Sequence, residues 1–156
     1  MILLDEEFLP QAYALIISAK ERIDIATFKA EITPKPRGLR LKQFFNLLYE
    51  RKSQGIQVNF LINWNDTRRS VPLANITAIR ELKQHGINVK ILHGNRCCHA
   101  KILLVDRNRA IIGSHNLSVR SCHNNFEVSY LIEDPASTAR LSATYDKILQ
   151  EAQAAK

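Results

Sequence analysis

His99-Ala100-Lys101-Ile102-Leu103-Leu104-Val105-Asp106 is the stretch that decides how this chain is read. Ile102 to Val105 is an unbroken apolar run, and Asp106-Arg107-Asn108-Arg109 after it has turn composition. The reading is a strand from His99 to Val105. Its period of two puts His99, Lys101, Leu103 and Val105 on one face. An imidazole and an ammonium then point the same way from an otherwise apolar strand. Burying such a pair without partners is costly, so the pair needs a reason. Asp106 has the opposite parity and ends the strand. That position suits bracing the turn or a neighbouring backbone better than touching a substrate held by the pair.

Downstream, Ala110 to Ile112 forms a second short strand closed by Gly113-Ser114-His115-Asn116. Glycine permits close approach of the backbone to a ligand. Ser114 offers a hydroxyl and Asn116 an amide donor. Ser114 either orients a carboxylate or binds phosphate. His115 reads as a core or surface residue rather than a catalytic one. The next strand, Asn125 to Ile132, carries Asn125, Glu127 and Ser129 on one face. A carboxylate at Glu127 is placed to accept an imidazole N–H and fix its tautomer. These are the parts of a phosphoryl-transfer site without a metal. Lysine and amide hold non-bridging oxygens, histidine attacks phosphorus, and a carboxylate orients the histidine. No cluster of Asp and Glu suits a pair of magnesium ions.

Upstream, helices and strands alternate. Residues 6–21 read as a helix through Phe8, Ala12, Leu15, Ile16 and Ala19. Arg22 to Phe28 alternates as a strand, and Glu31 to Gly38 is a proline-marked loop. A second helix carries Leu41, Phe44, Phe45 and Leu48 and stops at Gly55. Strands at 56–62 and 87–92 flank a third helix over 72–85, and the polar run Asn63 to Ser70 is a loop. Asp134 caps a last helix with Pro135 at its first position. The order α-β-α-β-α-β-β-β-β-α predicts an α/β sandwich with a mixed sheet. A length of 156 residues allows one domain, residues 1–156. Hydrophobic types at 46% and charged types at 24% exclude wholesale disorder.

With these residues in place, the sequence resembles the phospholipase D, or HKD, superfamily. His99, Lys101 and Asp106 meet H-x-K-x4-D, Gly113, Ser114 and Asn116 meet G-S-x-N, and Glu127 matches the downstream carboxylate. The likeness is greatest to the small single-motif bacterial nuclease branch, which includes relatives of mitochondrial cardiolipin hydrolase and piRNA nucleases. The zinc-binding insertion of the latter is absent. The resemblance implies a phospholipase D-like α/β/α sandwich. It implies a catalytic set of His99, Lys101, Asn116, Glu127, Asp106 and Ser114, with no cofactor. It also implies a phosphohistidine intermediate and two histidines per site. This chain has one motif, so the expectation is a homodimer with one active site on its two-fold axis.

The charge addresses the substrate. The chain carries +7 overall, but residues 32–124 hold sixteen basic and four acidic groups, a net of +12. That favours nucleic acid as the partner. Arg37, Arg40, Lys42, Arg68, Arg69 and Arg96 are candidates for a basic groove. Trp64, beside Arg68 and Arg69, is a candidate to stack on a base, to seat a partner chain or simply to anchor its loop. The leading expectation is a non-specific endonuclease on DNA or RNA. The alternatives are a lipid phosphodiesterase, which wants an exposed apolar rim that the sequence does not reveal, and a non-catalytic nucleic-acid-binding module.

Cys97, Cys98 and Cys122 do not form a disulfide framework, and Cys97-Cys98-His99 lacks the ligand spacing of a zinc site. No signal peptide or membrane span is legible, so the expected location is cytoplasmic, without stable membrane association.

Overall fold

The computed structural model describes residues 1–33, 36–64, 70–93 and 96–154. Eight strands form one sheet in the order β1-β7-β6-β5-β2-β3-β4-β8. The central strands β2 (Arg22–Thr27), β3 (Gln57–Asn63) and β4 (Asn88–Leu92) run parallel. The helices α1 (Phe8–Ile17), α2 (Leu39–Ser53) and α3 (Ser70–Gln84) alternate with them. From β4 onward the added strands β5 (Ile102–Val105), β6 (Arg109–Gly113) and β7 (Val128–Ile132) are antiparallel. The result is the expected mixed α/β sandwich.

Strand alternation divides the apolar residues between two layers. On one face Ile23, Ile25, Val58, Phe60, Leu103, Val105 and Ile111 meet the stripes of α1, α2 and α3. Phe44 and Phe45 are fully buried there, their rings edge to face at 5.6 Å. Burial of each such side chain contributes about 2–3 kcal/mol. On the other face Ala26, Leu61, Ile102, Leu104, Ala110 and Ile132 pack with Tyr145 of α5 (Pro135–Glu151). Asp134 caps α5, accepting the Ser137 N–H at 2.8 Å, with Pro135 first in the helix as the sequence predicts.

Besides the 3₁₀ turns at Asp5–Glu7 and Pro36–Gly38, three elements escape the sequence reading. They are the edge strands β1 (Ile2–Leu4) and β8 (Gln153–Ala154) and the short helix α4 (Val119–His123). The first two are too short for a periodicity and exist because β7 and β4 offer open edges. Boundaries also move: the first helix runs Phe8–Ile17 rather than 6–21, the third begins at Ser70 rather than at 72, and two shifts fall at the site. β5 begins at Ile102, so His99 and Lys101 precede the regular strand. β7 begins at Val128, leaving Asn125 and Glu127 in the segment before it.

The pairing of β1 with β7 corrects a further expectation. Ile2 lies opposite Tyr130 and Leu4 opposite Val128, while Leu3 between them is buried. Ile2, Leu4, Val128 and Tyr130 are each at least half exposed, and Phe126 beside them is entirely so. The chain therefore does carry an exposed apolar rim, which the sequence alone does not disclose. Among the described residues, no helix is long and apolar enough to cross a membrane.

Candidate active site

The parallel strands β2 and β3 end at Thr27 and Asn63, and β5 enters beside the end of β2, with Ala26 opposite Ile102. His99, Lys101, Ser114, Asn116 and Glu127 converge at this carboxyl end of the sheet, where open α/β folds place their ligands. His99 is exposed and Lys101 half-buried. Lys101 Nζ lies 3.1 Å from His99 Nδ1 and 3.3 Å from Nε2, and donates to the His99 carbonyl at 2.7 Å. The Phe28 ring backs both, 5.1 Å from the imidazole and 5.7 Å from Nζ. Burial pushes the Lys101 ammonium below the usual lysine range, partly offset by Cys98 and Glu127.

Asn116 is held by the same sheet end. Its Oδ1 accepts the Lys29 N–H at 3.2 Å, and its own N–H donates to Ser121 Oγ at 2.9 Å. That leaves its Nδ2 donor without a partner among the described residues. Glu127 is buried, and its carboxylate has a defined set of donors. Ser114 donates a short hydrogen bond to one oxygen, while Ser121 (2.7 Å) and Asn125 (2.9 Å) serve the other. Burial raises the Glu127 carboxyl, but these three donors outweigh it and hold the group below its ordinary value. The donors that hold Glu127 in this chain are hydroxyl and amide groups rather than an imidazole. Of the two roles open to Ser114, orienting Glu127 is the one it fills here.

Gly113 also has a different reason from the one read in the sequence. A Cβ at this position would collide with Ser129 and with the Val128 carbonyl of the neighbouring strand. The close approach is to β7 rather than to a ligand. His115 is a core residue, stacked on Phe8 at 4.5 Å and joined to Ser129 Oγ (2.7 Å) and the Asp5 carbonyl (2.9 Å). Burial pushes its pKa down.

Asp106 lies at the other end of β5. Its carboxylate accepts three backbone N–H bonds, from Lys20, Glu21 and Arg22, each at 2.9 Å. It braces the turn into β2 and takes no place beside His99, so its inclusion with the catalytic set is corrected. Burial alone would raise this carboxyl, but the three amides and Arg109 bring it below its ordinary value. Trp64 packs against the core and its backbone N–H donates to the Leu92 carbonyl at 2.9 Å, an arrangement that anchors the start of its loop. Arg68 and Arg69 lie outside the described residues.

Among the described residues, Arg37, Arg40 and Arg96 do not line one groove around His99. Arg96 lines a hollow of about 330 Å³ with Cys97, His99, Lys147 and Glu151, and pairs with Glu151 at 2.9 Å. Arg37 and Arg40 line a separate one with His123, where Glu6 pairs with Arg40 at 3.1 Å. A third hollow, of about 550 Å³, runs from Lys101 and Gly113 to Tyr130 and Leu141. Cys97 is exposed, while Cys98 and Cys122 are buried, with burial pushing Cys122 up to about 12. Among the described residues, no three His, Cys, Asp or Glu side chains group as metal ligands would.

Several residues of the site are missing from the sequence reading. Ser121 joins the Asn116 backbone to Glu127, and Asp5 accepts the Glu127 N–H at 2.8 Å. Neither belongs to a motif. Ser118, which caps α4 and so places Ser121, was the only local signal.

The family described as "Cardiolipin synthase, PLD-like domain" matches residues 13–149. Cardiolipin synthase 2 of Bacillus cereus is 30% identical over 139 residues, covering 89% of this chain and 25% of that protein. The chain thus spans about a quarter of the length of such curated relatives. Two solved structures share the fold over nearly their whole length. The phospholipase D family member Nuc from Salmonella typhimurium has a TM-score of 0.81 at 18% identity, covering 100% of this chain and 98% of its own. NucT from Helicobacter pylori has 0.78 at 19%, covering 99% and 98%. With its motif, its sheet and these matches in agreement, the chain belongs to the phospholipase D-like (HKD) family.

Proposed function

We propose that this chain is a metal-independent phosphodiesterase that cleaves nucleic acid at a site completed by a second copy of itself. The observation that carries the reading is the exposed His99 imidazole against Lys101, at a sheet end where the Asn116 Nδ2 has no partner among the described residues. The His99 nitrogen attacks phosphorus and the P–O bond to the leaving group breaks. The leaving oxygen takes a proton from the imidazolium of the other copy's His99. Water then attacks the phosphohistidine, gives its proton to that second imidazole, and the P–N bond breaks. Lys101 and Asn116 hold the non-bridging oxygens, where developing charge is greatest. Glu127 locks Ser114, Ser121 and Asn125 around the site and balances the lysine charge.

Two features support a second copy. One chain supplies one motif histidine, and the hollow beside Lys101 runs on to Val128 and Tyr130 of the exposed apolar rim. A partner seated on that rim would reach the site. The +12 charge of residues 32–124 supports nucleic acid as the substrate.

The same rim favours a second reading, a lipid phosphodiesterase, because apolar side chains beside the site suit acyl chains and because the named relatives are cardiolipin synthases. The test assays single- and double-stranded DNA and RNA in chelator, beside cardiolipin and phosphatidylcholine vesicles. Nucleic acid is expected to be cut and lipid spared, and His99→Ala should lower the rate about 10⁴-fold. Lipid turnover with intact nucleic acid overturns the substrate assignment, and full activity in His99→Ala overturns the site.

A further inference from the structure

The segment that delivers His99 is not part of a strand, yet a nucleophile has to be held to within a fraction of an ångström. Where β2 and β3 stop, their backbone groups leave the ladder and need other partners. Asn75, fully buried on α3, supplies three of them. Its Nδ2 donates to the Phe28 carbonyl at 3.1 Å and the Asn63 carbonyl at 2.8 Å, and its Oδ1 accepts the Ala30 N–H at 2.9 Å. Asn63, equally buried, accepts the Cys98 N–H on its Oδ1 at 2.8 Å.

These two amides tie the Phe28–Ala30 segment, through the end of β3, to the Cys98–His99 segment, and both segments border the site. Phe28 backs His99 and Lys101, Lys29 donates to Asn116, and Cys98 immediately precedes His99. Apolar residues would fill the same space without desolvating amide groups. Asn63 Nδ2 is in fact buried without a partner among the described residues, a cost with no packing benefit. Polar networks of this kind fix one arrangement of the backbone around them.

We propose that Asn63 and Asn75 are positioning residues for His99, with Asn63 setting the height of the Cys98–His99 backbone over the sheet. This rests on the reading of His99 as the reacting group, and the small diester bis(p-nitrophenyl) phosphate tests it independently of nucleic-acid binding. Asn63→Leu should lower kcat about 10²-fold. KM should stay within about twofold, because Lys101 and Asn116 still bind the phosphate. Asn63→Asp keeps the acceptor for the Cys98 N–H and should recover most of kcat. His99→Ala is the control. If it stays active, the site reading itself is wrong. If it is inactive while Asn63→Leu turns over like wild type, or Asn63→Asp is as poor as Asn63→Leu, the positioning role is overturned. Hydrogen exchange on the wild-type protein decides the matter even if a variant fails to fold. The Cys98 amide should be protected to the level of the β5 amides, and exchange at the rate of an open loop overturns the proposal.

Discussion

Within H-x-K-x4-D the aspartate has a different role from the histidine and lysine. Three backbone amides converge on Asp106, and the residue itself sits at a positive φ of 47°, a conformation its bonds help to hold. Asp106→Ala should cost about 1–2 kcal/mol in urea unfolding, discounted for partial exposure, and leave kcat within about threefold. The carboxyl is depressed in the folded chain, so its contribution is complete above the unfolded value near 4 and fades as pH falls through the folded one. Wild type should thus lose stability more steeply than the variant below about pH 4, and a slope equal in both would contradict the assignment. At this scale the sequence is informative about which residue types are present and less so about what they touch. Parity alone separates Asp106 from His99. The partners of Glu127 could not be read, because Asp5 reaches it from the other end of the chain and Ser121, six residues away, belongs to a one-turn helix too short to show a periodicity.

At the scale of elements, α5 is bound to the sheet by charge as well as by Tyr145. Asp24 of β2 is fully buried, with Arg22 at 2.8 Å, Asn59 at 2.7 Å and Arg107 at 3.5 Å. Arg107 reaches on to Asp146 of α5 with a bidentate pair at 2.5 and 2.6 Å. Asp24→Ala strips Arg22 and Arg107 of a shared partner and should destabilise the fold by about 2–3 kcal/mol, read from the urea midpoint. A change under about 0.5 kcal/mol would show that solvent replaces the carboxylate. The helices and central strands around this network are legible because their apolar periods of 3.6 and 2 run over many residues. The polar network is not, since Asp24, Asn59 and Arg107 meet only through the pairing of β2 with β3 and the turn after β5. The same reason hides β1, whose three residues become a strand only against β7.

For the whole molecule, one motif histidine per chain is legible in the sequence, and the need for two per reaction is what the family resemblance implies. The surface that would join two chains is not legible, because the exposure of Ile2, Leu4, Val128 and Tyr130 follows from the register of an edge strand. The measurement that bears most directly on the proposed shared site is subunit mixing. Wild type and His99→Ala are unfolded together in equal amounts, refolded, and assayed in chelator on a labelled DNA strand. If each site needs His99 from both copies, mixed dimers are dead, and activity falls to about a quarter of that of the same total of wild type. Activity of about a half, in proportion to the wild-type share, would mean that each chain works alone and would contradict the account.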